Sequence, residues 1–271
     1  MRGRRGRPRA LSIAGSDSSG GAGVQADVAT FAAVGVFATS AVTAVTVQDS
    51  LGVHAVHVLE PRLVRAQIDA VLDDLGADAV KTGMLGTRGI VAAVAASLQR
   101  SRSANLVIDP VIRSTSGAEL LDRAGVRALC DALLPLARVV TPNLSEAAVL
   151  AGMEVHDLPS AEEAGRRILR LGPQSVVVTG GHLVADPVDL LVDRTGARRF
   201  RGLRIGSDAH GTGCAFSAAL AAHLAQGREL DEAVRAAKRF VEERLRAAAL
   251  LGRGRPQLDL RCPSPSRRRR P

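Results

Sequence analysis

The segment HGTGC at 210–214 combines groups that can bind an anion with a side chain that can accept a proton. Gly211, Thr212 and Gly213 come at the start of a predicted helix, where free backbone N–H groups and the positive end of the helix dipole bind phosphate without a lysine. The same field favours a thiolate at Cys214 and predicts a lowered pKa for that thiol. The alternative is a small buried hydrophobic residue, the usual role of a free cysteine.

A second glycine-rich segment, GSDSSGGAGVQAD at 15–27, connects a predicted strand to a predicted helix and could surround a small polar ligand. It is not a Walker A motif, because no GK[ST] follows, and it lacks the GxGxxG spacing. A flexible turn is the alternative. Asp27 lies in an otherwise apolar helical stretch, as a functional carboxylate or as an ordinary surface or capping one.

Three further polar side chains follow predicted strands. Asn143 and Glu146 stand three apart in TPNLSE, and Asp109 ends the strand in IDP. Carboxylate and amide oxygens could hold Mg²⁺, which prefers few protein ligands together with waters and phosphates. Asn143 and Glu146 could instead be a helix cap with an acid in the first turn.

Strand-like and helix-like segments alternate along the chain and position these residues. Strands are predicted at 10–15, 37–48, 79–85, 105–111, 138–143 and 175–181, with two more in 188–205. Helices are predicted at 21–35, 61–76, 88–100, 122–136, 145–152, 160–171, 211–226 and 230–249. This order predicts a single-domain α/β fold, a mainly parallel sheet with helices on both faces. Ligands of such sheets bind at the carboxyl ends of the strands.

The net charge of +9 belongs to the two ends of the chain. Residues 1–9 and 261–271 hold five Arg each, and without those ten the body has 26 basic and 27 acidic residues. Both Pro/Ser/Gly-flanked ends are predicted to be disordered tails. The chain has five Phe and no Tyr or Trp, which argues against a platform that stacks bases.

Cysteine content and apolar segments indicate a reducing, cytoplasmic setting. Three cysteines, at 130, 214 and 262, suggest neither a disulfide framework nor a CxxC zinc site. The basic N-terminus lacks the apolar segment of a secretory signal. The apolar helical runs are too short to span a bilayer.

The motifs taken in order are more specific than any one of them. AGSDSSGGAGVQAD, VTVQDSLGV, KTGML, DPV, TPNLSEA, GGH and HGTGC together resemble the hydroxymethylpyrimidine/phosphomethylpyrimidine kinases of thiamine biosynthesis, in the ribokinase-like superfamily. The resemblance covers residues 10–260 and leaves out the two Arg-rich tails. It implies a ribokinase-like kinase domain, ATP and Mg²⁺ as cofactors, a small pyrimidine as substrate, no membrane partner and a homodimer.

The resemblance also implies roles for individual residues. The pyrimidine is expected to contact Gly15, Asp27, Gln48, Met84 and Val111. The amides of Gly211, Thr212 and Gly213 are expected to hold the transferring phosphoryl group, with Cys214 as the base for the substrate hydroxyl. The nucleotide is expected at Thr179, Gly180, Thr212 and Lys238, and the metal at Asp109, Asn143 and Glu146.

Three features depart from the family pattern. Thr179 stands where the family usually has Lys, so this position offers a hydroxyl and no charge, and Arg113 stands where relatives are usually apolar. The segment LGRGRPQLD at 251–259 matches the family's GxGxGP ending only in part. Two other functions stay open. One is a pyridoxine/pyridoxal kinase on the same scaffold, against which Gln48 argues, and the other is a nucleic-acid-binding protein acting through its Arg-rich tails.

Overall fold

Nine strands form one sheet in the computed structural model, which describes residues 6–101, 105–114, 117–181, 187–206 and 209–260. The strands are β1 (Arg9–Ser16), β2 (Phe37–Gln48), β3 (Val53–Val58), β4 (Ala79–Thr82), β5 (Leu106–Ile108), β6 (Val139–Val140), β7 (Ser175–Val178), β8 (Val188–Asp193) and β9 (Gly196–Arg201). The helices are α1 (Gly23–Val34), α2 (Pro61–Asp74), α3 (Arg88–Ser101), α4 (Arg123–Ala128), α5 (Leu144–Ala151), α6 (Leu158–Leu169), α7 (Thr212–Ala225) and α8 (Leu230–Arg246).

The sheet order is β3-β2-β1-β4-β5-β6-β7-β8-β9. The six strands from β2 to β7 in this order pair in parallel, whereas β3, β8 and β9 pair antiparallel at the two edges. From β1 the chain proceeds to β2 on one side and later returns to β4 on the other. The crevice between β1 and β4 is therefore the place where a sheet of this kind binds its ligand.

Alternate side chains of the strands enter two separate cores. Leu11 and Ile13 belong to the core that α2, α3, α5 and α6 cover, and Ala10 belongs to the core that α1, α7 and α8 cover. A strand with apolar residues on both sides is typical of a parallel sheet buried on both faces. The predicted α/β fold class, a mainly parallel sheet between two helical layers, is confirmed.

Several element boundaries differ from the sequence-based ones. The segment 53–58 forms the edge strand β3, although no element is predicted there; its residues are mostly exposed, so they lack the apolar run of the inner strands. The helix predicted over 122–136 ends as α4 at Ala128 and continues as a π turn and a 3₁₀ turn. Pro135 lies in that last turn and has no N–H with which to continue a helix.

The N-terminal boundary of the ordered body lies at Arg9. Its N–H donates to Asp78 Oδ2 at 2.8 Å, and the N–H of Phe37 donates to the carbonyl of Pro8 at 2.7 Å. Arg9 is therefore the first residue of β1, although the sequence-based boundary assigns it to the tail. The predicted disorder of the tails concerns mainly residues 1–5 and 261–271, which lie outside the described residues.

Candidate active site

A cavity of about 1000 Å³ opens at the carboxyl ends of the parallel strands. The strands β4, β5, β6 and β7 each end three residues before the predicted strand end. Several of the residues that directly follow these shorter strands line the cavity. Among the predicted site residues, those that line the cavity are Gly15, Gln48, Met84, Asp109, Val111, Asn143, Glu146, Thr179, Gly211, Thr212, Gly213, Cys214 and Lys238. Asp27 and Gly180 are not in its wall.

The start of α7 supplies the predicted anion site. Gly211 is the N-cap, with φ of 83°, and its carbonyl accepts the first helical hydrogen bond from Ala215 N–H at 2.9 Å. The N–H groups of Thr212, Gly213 and Cys214 therefore have no acceptor within the helix. The backbone is closely packed here, because a Cβ on Gly211 would lie 1.8 Å from the carbonyl oxygen of Gly21. This contact joins the two glycine-rich segments.

Cys214 lines the cavity beside these amides, but its predicted thiolate character is wrong for the ligand-free protein. Burial raises the pKa of Cys214 to about 12; the charge of Lys81 acts to lower this pKa, and the charges of Asp109 and Asp27 act to raise it. The thiol is therefore protonated at neutral pH until the charge around it changes.

Asp27 forms a buried ion pair with Lys81 rather than a wall of the cavity. Lys81 Nζ donates to both carboxylate oxygens at 2.9 Å, and Ser12 Oγ donates to Oδ2. Both side chains of the pair are fully buried. Burial alone would lower the pKa of Lys81, but the pKa is raised, and the largest contribution in that direction is the charge of Asp27. Asp27 is therefore not placed for the predicted direct contact with the substrate, whereas its partner Lys81 lines the cavity.

Asp109 and Glu146 bring two carboxylates to the middle of the cavity. Asp109 Oδ2 accepts a hydrogen bond from Ser217 at 2.9 Å and lies 3.9 Å from Lys81 Nζ. Burial raises the pKa of Asp109, and burial together with the charge of Asp109 raises the pKa of Glu146 to about 8. A divalent cation would relieve this repulsion, and oxygen donors are the ligands that Mg²⁺ prefers, so the pair fits the predicted metal.

Asn143 serves as a helix cap. Its Oδ1 accepts from Glu146 N–H at 2.9 Å and from Ser145 Oγ at 2.6 Å, and Glu146 Oε2 accepts from Asn143 N–H at 2.9 Å. This capping box forms the start of α5. It is the helix cap that the sequence analysis gave as the alternative to a metal-binding Asn143. The prediction is revised, with Asn143 orienting Glu146. In the part of the chain that the structure describes, no group of three His, Cys, Asp or Glu side chains could hold a metal.

The far end of the cavity holds the residues predicted for the nucleotide. Lys238 Nζ donates to Asp189 Oδ2 at 2.7 Å, and the N–H of Gly180 donates to Asp189 Oδ1 at 3.0 Å. Asp189 thereby connects α8 to the loop after β7, in which Thr179 lines the cavity. Gly180 was predicted to contact the nucleotide. In the structure it donates this backbone hydrogen bond and does not line the cavity.

Four functional candidates escaped the sequence analysis: Asp17, Lys81, Asp189 and His210. Lys81 had a signal, because a lysine inside an otherwise apolar strand needs a buried partner. His210 is part of the HGTGC motif, and Asp17 is part of the first glycine-rich segment, but their partners are distant in sequence. The only sequence feature that could have indicated Asp189 is its position as an acidic residue in a mostly apolar strand.

Comparisons with known proteins agree with this architecture. A family model described as phosphomethylpyrimidine kinase matches residues 17–259. A hydroxymethylpyrimidine/phosphomethylpyrimidine kinase of Mycobacterium tuberculosis is 48% identical over 251 residues, 91% of each chain. A thiamine biosynthesis bifunctional protein of Geobacter sulfurreducens is 46% identical over 90% of this chain, which spans half of that relative's length.

Two solved structures are similar as well. Phosphomethylpyrimidine kinase from Clostridium difficile 630 has a TM-score of 0.79 and 38% identity, covering 88% of this chain and 99% of that one. Pyridoxal kinase from Staphylococcus aureus in complex with AMP-PCP has a TM-score of 0.88 and 33% identity, covering 95% of both. Fold and site together define a ribokinase-like kinase, which is a phosphotransferase. Within that class, the chain belongs to the phosphomethylpyrimidine kinase family.

Proposed function

We propose that the chain transfers the γ-phosphoryl group of ATP to the hydroxymethyl group of 4-amino-5-hydroxymethyl-2-methylpyrimidine, and then a second one to the resulting monophosphate. The observation that supports this function is one large cavity, which is lined by most of the residues expected to bind the ring and the nucleotide and by the GTG turn. The names of the relatives, which pair the two kinase activities, support both transfers.

The ring site is formed by apolar and amide groups. Met84 and Val111 supply apolar surface, and Gln48 supplies a carboxamide that suits a ring with nitrogen atoms and an exocyclic amine. Gly15 leaves space beside Met84 in the cavity wall, since a Cβ there would come within 3.1 Å of the Met84 sulfur. A side chain at Gly15 would therefore require Met84 to shift.

The first transfer uses the amides of α7 and the thiol of Cys214. As the bond between the γ-phosphorus and the bridging oxygen of ATP breaks, the N–H groups of Thr212, Gly213 and Cys214 stabilise charge on the phosphoryl oxygens. After the Cys214 thiol has lost its own proton to solvent, the substrate hydroxyl oxygen forms the new P–O bond and gives its proton to the resulting thiolate. ADP leaves with the electron pair of the broken bond.

The second transfer needs no base. The second pKa of a phosphate monoester is about 6, so the monophosphate is already largely a dianion at neutral pH. Its oxygen can attack without losing a proton. The two reactions therefore make different demands on Cys214 at the same cavity.

We also propose Mg²⁺ as the metal cofactor, held by Asp109 and Glu146. When bound, it would supply positive charge beside the phosphates of ATP and lower the pKa of the Cys214 thiol, which burial raises. Asn143 holds the backbone and carboxylate of Glu146 in place through the capping box. Ser217 and Lys81 hold Asp109 on its other side.

The ATP phosphates lie, in this proposal, between the GTG turn and Lys238. Thr179 offers a hydroxyl in place of the usual lysine, and Lys238 supplies the positive charge while Asp189 holds its ammonium group. A similar structure was solved with AMP-PCP, an ATP analogue, which supports ATP as the donor.

Among the helices in the described part of the chain, none combines the length and the apolar character that a membrane span requires.

A homodimer in the cytoplasm completes the proposal. The face of β2 and β3 that carries Val45 and Val47 is exposed at one end of the sheet, where a second copy could cover it. Three cysteines without a disulfide framework suit a reducing compartment. The mass of the protein in solution tests the dimer.

Pyridoxal is the second candidate acceptor, because a pyridoxal kinase shares the fold at a TM-score of 0.88. The test is an assay with ATP and Mg²⁺ in which the hydroxymethylpyrimidine, its monophosphate and pyridoxal are offered separately. Sequential conversion of the pyrimidine to mono- and diphosphate is the expected result. Turnover of pyridoxal alone would replace the proposed substrate, and turnover of none of them would contradict the function.

A further inference from the structure

The side chains of Asp17 and Gln48 both contact the Nε2 atom of His210, beside the residues expected to bind the pyrimidine ring. His210 Nε2 lies 3.2 Å from Asp17 Oδ2 and 2.9 Å from the amide nitrogen of Gln48. The side chain of Asp17 is 3% exposed and that of His210 15%. The cluster joins the glycine-rich turn after β1, the end of β2 and the residue before the GTG turn. The proposed mechanism uses Gln48 and assigns nothing to the other two.

Asp17 is built to remain a hydrogen-bond acceptor. Its Oδ1 accepts from the N–H and the hydroxyl of Ser19, both at 2.8 Å, and its Oδ2 accepts from Ala22 N–H at 2.8 Å. Burial acts to raise the pKa of Asp17, but the hydrogen bonds from His210 and Ser19 outweigh it and lower that pKa. An ionised carboxylate has no hydrogen to donate, so the hydrogen in the contact with His210 must be on Nε2.

This assignment determines the orientation of the Gln48 amide. A ring nitrogen that carries a hydrogen cannot accept one from an amide nitrogen, so the amide oxygen must be the atom that faces His210. A half-turn of the carboxamide about its last bond exchanges its oxygen and nitrogen and leaves the other atoms in place. The amide nitrogen then takes the position 3.3 Å from Thr46 Oγ1, a hydroxyl whose hydrogen is donated to the Ser16 carbonyl at 2.9 Å.

In this orientation every group has a compatible partner. The Gln48 oxygen accepts from His210, one amide hydrogen is donated to Thr46, and the other is left for the cavity that Gln48 lines. With the opposite orientation, His210 would lose its hydrogen bond to Asp17 and leave a buried carboxylate without one of its donors.

We propose that Asp17 and His210 orient the Gln48 carboxamide so that it presents an N–H donor to the ligand. His210 is a positioning residue for substrate selection, and the ligand is a heteroaromatic ring with an acceptor nitrogen at that edge. The inference rests on the proposed function for the place of the ring. The hydrogen on Nε2 can be tested without any substrate.

The first experiment determines the position of that hydrogen by two-bond ¹H–¹⁵N correlation spectra of the full chain labelled with ¹⁵N-histidine. The chain has six histidines, so the spectrum of His210→Gln identifies the signals of His210 by their loss. The expected result is a hydrogen on Nε2, in the neutral or the cationic ring. A neutral ring with its hydrogen on Nδ1 alone would overturn the proposal even if the kinase activity is confirmed.

The second experiment compares two amide replacements of His210 in the assay with ATP. Glutamine places an N–H near the position of Nε2, whereas asparagine is one methylene shorter and does not reach it. His210→Gln should keep the KM for the pyrimidine within about 3-fold, and His210→Asn should raise it about 10-fold or more with kcat little changed. Equal KM values for the two variants, or a loss confined to kcat, would contradict a positioning role. If either variant fails to fold, the other identifies the His210 signals by their loss, and the spectrum of the unmodified chain then decides the question.

Discussion

At the scale of single residues, the environment of Cys214 decides how the site works. A thiol at a helix N-terminus is expected to ionise easily. Here burial and the carboxylates of Asp109 and Asp27 act in the opposite direction and raise its pKa to about 12. The proposed base is therefore a protonated thiol in the structure.

The ligand-free protein should consequently show a thiol that reacts slowly. The raised pKa moves the rise in thiolate fraction to higher pH, so alkylation of Cys214 by iodoacetamide should still be increasing at about pH 10, beyond the ordinary thiol pKa of about 8.5. Replacing Cys130 and Cys262 by serine leaves Cys214 as the one thiol to follow by mass. A plateau reached near pH 7 would show a thiolate and contradict the structure.

At the scale of elements, the two glycines of the GTG turn have separable roles. Gly211 has φ of 83° and no room for a Cβ, so Gly211→Ala should lower the free energy of unfolding by about 2 kcal/mol or more. Gly213 is helical and has no heavy atom within 4 Å of an added Cβ. Gly213→Ala should leave stability unchanged or raise it by up to about 1 kcal/mol.

The same pair of variants tests the anion site. The methyl group of Gly213→Ala projects into space beside the helical amides, so the KM for ATP should rise although the protein is fully folded. Denaturant unfolding and ATP titration of both variants measure the two effects. Equal destabilisation by the two alanines would show that the steric argument at Gly211 is wrong.

The buried pair between α1 and β4 gives a second prediction at this scale. Lys81→Met leaves Asp27 as an unpaired buried charge and should cost about 3–5 kcal/mol of unfolding free energy. In the double variant with Asp27→Asn, both charges are absent, and most of that loss should be recovered. Denaturant unfolding of the single and double variants provides the comparison, and an equally unstable double variant would mean that the loss comes from packing.

The sequence predicts elements better than it predicts these contacts. Inner strands such as β1 and β7 show continuous apolar runs, and the motifs at their ends bring most of the site residues to one cavity. The edge strand β3 has a mixed pattern and went unassigned. The pairing of Asp27 with Lys81 joins positions 54 apart, and helix periodicity around Asp27 carries no information about β4.

At the scale of the whole molecule, charge and chemistry belong to different parts of the chain. The net charge of +9 is concentrated in the two ends, whereas the site lies in the body. We expect a chain trimmed to residues 8–260 to keep its kinase activity, because Arg9 and Pro8 make the first contacts with the sheet. Loss of turnover on trimming would assign the tails a part in the reaction.

The central claim is that one cavity performs two transfers and that only the first needs Cys214. The most direct test is the ratio of kcat/KM for Cys214→Ala to that of the unmodified chain, measured separately with the hydroxymethylpyrimidine and with its monophosphate. General-base catalysis contributes about 10²- to 10⁴-fold, so the alcohol should lose activity in that range and the monophosphate less than about 10-fold. Equal losses with the two acceptors would contradict the claim.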